Sequence, residues 1–206
     1  MSDDLPSPVS FTVPARRVAI ETLDRSKFDT ALVTLTRAFD RDPMFTWIFP
    51  DPVVRARSLR AMNHVPLEYG LRFGVVTTAA HGGALAIWLP PERRISVRGM
   101  IRAGMLGMPW SMGLGPFLTF MRANDAMGTL HAACVPEPHW YLLIVAVDPS
   151  LQGRGLGTAL LRHGLARADA SGTPCYLETS HPSNLPFYER HGFVVAATTP
   201  LGRGGP

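Results

Sequence analysis

Cysteine is scarce. Cys134 and Cys175 are the two present, neither has a CxxC partner, and no His/Cys group has metal-ligand spacing. A disulfide scaffold is excluded and no metal is expected. Both thiols read as free, with Cys175 a small core residue in the apolar run CYLET. Basic runs are lacking as well. The net charge is +4 and the pI about 9.6, yet no Lys/Arg-rich stretch or basic–aromatic interleaving occurs, which argues against nucleic-acid binding. The opening MSDDLPSPVSF has neither a positive region nor an apolar core, so no signal peptide is expected and the chain reads as cytoplasmic. Residues 103–121 carry no charge, but Pro109, Pro116 and repeated glycines break them. They read as two short helices over a sheet, or an apolar lid, and no membrane partner is expected.

What is present suits one well-cored domain: 206 residues, 46% apolar and 17% charged. Residues 1–14 read as a flexible tail, 15–198 as the domain, and 199–206 as a Gly/Pro-rich tail. Residues 15–21 alternate charged and apolar side chains and predict a first strand. Asp24 or Ser26 can cap a helix running to about Asp40, with Phe28, Ala31, Leu32, Leu35 and Phe39 on one face. Residues 40–50 read as an aromatic-rich loop, either a hydrophobic plug or one wall of a substrate pocket. Residues 53–71 read as a helix with arginines outward. Residues 73–78 and 84–88 predict a hairpin around His81-Gly82-Gly83.

The stretch that organises the chain is residues 139–157, HWYLLIVAVDPSLQGRGLG. Trp140–Val147 is a β-branched and aromatic run that reads as a buried strand, and Asp148-Pro149 ends it. The loop Gln152-Gly153-Arg154-Gly155-Leu156-Gly157 then opens an amphipathic helix beginning near Thr158. Glycines present several N–H groups to one point, and a new helix adds free N–H groups and a positive dipole end, so the loop suits a phosphate or pyrophosphate. It lacks the Gly-Lys-Ser/Thr ending of a P-loop and the GxGxxG register of a dinucleotide fold. Farther on, residues 175–179 read as a strand. Ser183 or Asn184 caps a short helix with Pro186 in its first turn, Gly192 ends it, and residues 193–197 form another strand.

Gln152, Gly155 and Gly157 resemble the acetyl-CoA loop of the GCN5-related N-acetyltransferases (GNAT), Gln/Arg-x-x-Gly-x-Gly/Ala. NLPFYERHGF over residues 184–193 is similar to that family's late tyrosine helix and strand entry. The resemblance covers residues 131–195, and within the family it looks closest to puromycin N-acetyltransferase-like members. It implies an α/β (α+β) acyl-CoA N-acyltransferase fold, whose central, mostly antiparallel mixed sheet has helices on both faces and splayed central strands. It also implies acetyl-CoA as acyl donor and a small-molecule amine as acceptor, in a monomer or homodimer. Val145, Ala146 and Val147 would meet pantetheine along the strand, and an N–H near Val147 would polarise the thioester. Gln152, Gly153, Arg154, Gly155, Leu156, Gly157 and Thr158 would hold the phosphates, and Asn184 would touch the cofactor. Tyr188 matches the tyrosine assigned as general acid. Tyr141 stands where some members carry a glutamate base, which leaves Glu137, Asp42, Glu68, His81 and His131 as candidate bases. The family's last strand is missing: the chain in hand is short of it, a partner supplies it, or the sheet edge stays open. Aromatic and apolar segments at residues 44–49 and 105–120 favour a hydrophobic amine over a polycationic sugar, with an antibiotic-type acceptor among the possibilities.

Overall fold

The computed structural model describes residues 18–93, 95–135, 138–202 and 204–206, so the predicted N-terminal tail and residues 15–17 of the first predicted strand lie outside the described residues. Of its described residues, 18–20 form no ladder, and pairing begins only with β1 (Glu21–Thr22). It pairs antiparallel with β2 (Val75–Ala79), and β2 forms the predicted hairpin with β3 (Ala84–Leu89). The turn takes left-handed backbone at Ala80 and His81 as well as Gly82, so two residues with a Cβ share the strain expected of the glycines. β3 is buried throughout and pairs antiparallel with β4 (Trp140–Val147), while β5 (Cys175–Tyr176) runs parallel on the far side of β4. The order β1-β2-β3-β4-β5 makes a mixed, mostly antiparallel sheet.

Helices cover both faces. Asp24 caps a short 3-10 turn that leads into α1 (Phe28–Phe39), whose Ala31, Leu32 and Leu35 pack on the sheet with Leu67, Val76, Leu85 and Ile87. On the opposite face α7 (Leu156–Ser171) packs Leu156, Leu160 and Leu161 against Ala86, Trp88 and Leu142. Helix and sheet come so close there that a Cβ on Gly164 would sit far inside van der Waals contact of the buried Trp88 ring.

Beyond the end of α1 lies an apolar lobe bordered by Phe39. The stretch expected as an aromatic loop is instead a helix, α2 (Pro43–Ile48). Asp42 accepts from the Met44 and Phe45 N–H groups, and Pro43 is tolerated in the first turn. Met44, Phe45, Ile48 and Phe49 are buried, as a plug requires. α3 (Pro52–Phe73) follows, capped by Asp51. Arg57 and Arg60 point outward as predicted, but Arg55 folds back onto the Phe49 carbonyl at 2.7 Å and faces Asp40.

α4 (Val97–Arg102) precedes the uncharged stretch, which forms α5 (Met108–Met112) and the first part of α6 (Leu114–Cys134). α6 is longer than the short helix predicted there and takes in His131. Among the described residues no helix is long and apolar enough to cross a membrane.

Two strand expectations fail. Residues 177–179 leave the sheet after two β5 residues, and residues 193–197 form no ladder, with Val194 86% exposed and no strand beside them among the described residues. The final residues turn back: Leu201 packs into the apolar lobe, and Gly202 and Gly205 lie against the Trp47 ring.

Candidate active site

β4 and β5 pair only at Trp140↔Cys175 and Tyr141↔Tyr176. Beyond those two rungs β4 continues along β3 to Val147, while the chain after Tyr176 turns away. The fork opens into a cavity of about 780 Å³. Leu142, Leu143, Ile144 and Val145 line one arm, Leu177, Glu178, Thr179 and Ser180 the other, and α2, α3 and α6 close the lobe side. Ser180 holds its arm in place by donating to Asp42 Oδ1 at 3.0 Å.

The glycine loop lies past the end of β4, outside the cavity wall. Gly153 and Gly155 both have φ of +75°, and a Cβ at either would meet nothing within 4 Å. α7 begins directly after them, with no acidic residue in its first turn. The N–H groups of Leu156, Gly157 and Thr158 precede the first helical hydrogen bond, Ala159 N–H to Gly155 O, and stay available to an anion. Gln152 Nε2 donates to the Val147 carbonyl at 3.3 Å and ties the loop to the strand. Arg154 reaches the Ser150 carbonyl of its own turn at 3.4 Å.

Of the residues the sequence nominated, Val145, Asn184 and Tyr188 meet on the cavity wall. Ala146 and Leu156 do not join them; both are buried in the packing of the sheet faces. Val147 sits at the end of the strand among the residues packed on α7, so Val145 is the strand position that faces the cavity. Asn184 precedes α8 (Leu185–Glu189) without capping it through its side chain; its amide reaches Thr179 Oγ1 at 3.4 Å. Tyr188, on α8, stacks edge-on to Phe187 and Phe193, and its hydroxyl has no hydrogen-bond partner among the described residues. Burial pushes its phenol up to about 12. Phe187 also contacts the first turn of α7 at Gly157, so the helix bearing Tyr188 is seated on the one that opens from the glycine loop.

The candidate bases separate by position. Glu68 is on α3, held by Arg25 at 3.0 Å and Arg72 at 2.6 Å, and lines no part of the cavity. His81 is exposed in the hairpin turn. Asp42 lines the cavity, but one of its oxygens already accepts from Met44, Phe45 and Ser180. Glu137 lies outside the described residues. His131 does line the cavity, with its Nε2 2.7 Å from His139 Nε2.

The residue that sequence reasoning missed is Glu178. Its Oε2 accepts from the Tyr141 hydroxyl, across the fork at the position where the family glutamate was expected. Tyr141 is the rung partner of Tyr176, and on the strand predicted over residues 175–179 Glu178, two positions on, would share the face of Tyr176. That adjacency was the available signal.

Residues 106–193 match the model of the Acetyltransferase (GNAT) family. An uncharacterised N-acetyltransferase of Schizosaccharomyces pombe is 24% identical over 90% of this chain and 78% of its own length. A mycothiol acetyltransferase of Streptomyces scabiei is 36% identical over 45% of this chain, which spans 31% of that protein. Among solved structures, one described as histone acetyltransferase HPA2 and related acetyltransferase, from Corynebacterium glutamicum, aligns over 87% of this chain and 86% of its own. Its TM-score is 0.60, at 26% identity. Arylalkylamine N-acetyltransferase 2 of Aedes aegypti shares the fold at a TM-score of 0.53 and 14% identity, over 87% of this chain and 83% of that one. With the forked sheet and the loop that opens α7, these likenesses support an N-acetyltransferase of the GNAT type.

Proposed function

We propose that the chain transfers an acetyl group from acetyl-CoA to the amine of a small, apolar or aromatic molecule, with Tyr188 as the proton donor. The observation that carries this reading is the fork itself. β4 loses its neighbour after two rungs, and the released edge runs from a cavity bearing Tyr188 towards a glycine loop built for an anion.

The residues present fit the cofactor. The open, left-handed Gly153 and Gly155 leave room for a phosphate against backbone N–H groups, and the first turn of α7 adds more. Gln152, Arg154, Leu156, Gly157 and Thr158 complete that cradle, Val145 offers strand backbone to the pantetheine amides, and Asn184 borders the cavity. Acetyl-CoA supplies an acetyl thioester to this site. Burial holds the Tyr188 phenol above its ordinary range, up to about 12, so it carries its proton at the cavity wall at neutral pH. The apolar lobe excludes water and accepts a hydrophobic acceptor.

Gly155→Val tests the cradle. A β-branched residue at φ +75° is strained, and its side chain occupies the anion's space. Acetyl-CoA affinity is expected to fall at least tenfold by calorimetry. The reaction is tested by free-thiol release from acetyl-CoA against a panel of amines that includes puromycin, phenethylamine and an aminoglycoside. Turnover with an apolar or aromatic amine is expected. A clean preference for the aminoglycoside would sink the apolar-acceptor reading, and thiol release only with a peptide amine would move the acceptor to protein.

A further inference from the structure

One carboxylate in the cavity has no fixed cation of its own. The Glu178 side chain is 16% exposed, and among the described residues no lysine or arginine pairs with it. Its Oε2 takes the Tyr141 hydroxyl, and His131 Nδ1 lies 3.7 Å from its Oε1. Burial raises its carboxyl above the ordinary range, against the pull of the Tyr141 and Tyr176 hydroxyls.

The histidines behind it fix a direction for the protons. His139 is buried and its Nδ1 has no partner. An unbonded lone pair costs less there than an unbonded N–H, so the proton of a neutral His139 sits on Nε2 and is donated to His131 Nε2. A neutral His131 then carries its own proton on Nδ1, towards Glu178. Donors thus approach both carboxylate oxygens, and the arrangement favours an anion.

A desolvated anion without a fixed countercharge is costly unless a ligand brings one. The surroundings say which ligand. Tyr141 lines the cavity beside the carboxylate, and Phe39, Phe45 and Phe120 add aromatic rings to the same cavity, the kind of wall a cation favours. Seven of the nine methionines of the chain line the same cavity, an adaptable apolar surface. Asp42, the other carboxylate there, is engaged as a helix cap and by Ser180. Glu178 is therefore the carboxylate left to meet a ligand's charge, which suits a single ammonium group.

We propose that Glu178 anchors the ammonium group of the acceptor and takes its proton, so that the acceptor is a monocationic amine on an apolar or aromatic body. This rests on the acetyl-transfer reading above. In the step, one ammonium N–H bond breaks, an O–H bond forms on Glu178, and the bonding pair stays on nitrogen as the attacking lone pair. The proton returns to solvent once product leaves. Tyr141 and His131 are positioning residues.

The test compares phenethylamine with 2-phenylethanol, its uncharged counterpart, for binding to the full chain by calorimetry at neutral pH. Wild type and Asp42→Asn are expected to bind the amine at least tenfold more tightly than the alcohol. Glu178→Gln is expected to lose that preference while its Tm and acetyl-CoA affinity stay near wild type; in turnover its kcat for the amine should fall at least tenfold. A wild type without the preference, a Glu178→Gln protein that keeps it, or an Asp42→Asn protein that loses it would each overturn the proposal. Failure of the transfer reading looks different: the amine preference and its dependence on Glu178 would stand, with no thiol released from bound acetyl-CoA.

Discussion

Tyr188→Phe is expected to lower kcat for acetyl transfer about a hundredfold or more, with acetyl-CoA affinity changed less than about threefold. The substitution removes one hydroxyl and leaves the ring, so the edge-on packing with Phe187 and Phe193 persists and α8 stays seated on α7. What is lost is a proton held at the cavity wall by a group with no competing hydrogen bond among the described residues. Its phenol is pushed up to about 12, so the protonated, competent form persists throughout the working range. The rate profile should therefore show no alkaline limb from this residue below about pH 11. A phenol that high is a weak acid towards an ordinary thiolate. Burial raises thiols too, as it does Cys175, pushed to about 11, and a thiolate in a desolvated cavity meets the same penalty. An unchanged kcat in the variant would assign the proton to solvent. Single-turnover thiol release separates the chemical step from product departure.

Gly164→Ala is expected to destabilise the fold by about 3 kcal/mol, the upper range for forcing one extra carbon into a packed core. The added Cβ meets the Trp88 ring, which is 1% exposed and lies on a strand buried along its whole length. The tryptophan has no room to swing, because α7 covers one face of the sheet while α1 and α3 pack on the other. The alternative is for α7 to lift off the sheet, giving up contacts of Leu160 and Leu161, both fully buried. For a domain of this size such a loss lowers Tm by about 6–12 °C. Thermal unfolding measures it, and a shift under about 2 °C would show that the interface yields easily. The same displacement would move the start of α7, so acetyl-CoA affinity should fall with stability.

The cofactor half was the legible half, for local reasons. Trp140–Val147 is long, apolar and β-branched, Asp148-Pro149 can do little but stop it, and glycines at 153 and 155 sit where the backbone turns left-handed. None of this needs a distant partner. The acceptor half was harder because its elements depend on packing. The aromatic residues of α2 resemble a loop until Asp42 is seen to cap them. α6 carries glycines at 115 and 128 that reduce its helical signal, yet neither meets anything within 4 Å, and the helix continues to Cys134. Glu178 was least legible of all. It follows a strand of only two residues, and its meaning comes from Tyr141, 37 positions away, and from His131 on another helix. An acid in an apolar stretch reads as an exit from a strand until its donors are known.

The two rungs at the base of the fork also act as a fulcrum. Tyr141 belongs to the last rung, and Glu178 stands two residues beyond its partner Tyr176, so their contact lies close to the pivot. Ser180, farther out, is clasped to Asp42 across 138 positions of sequence. If the arms breathe, displacement grows with distance from the pivot: it is small at Glu178 and larger at Ser180 and beyond. The cleft can thus widen to admit a bulky molecule while the carboxylate and its phenol keep their register.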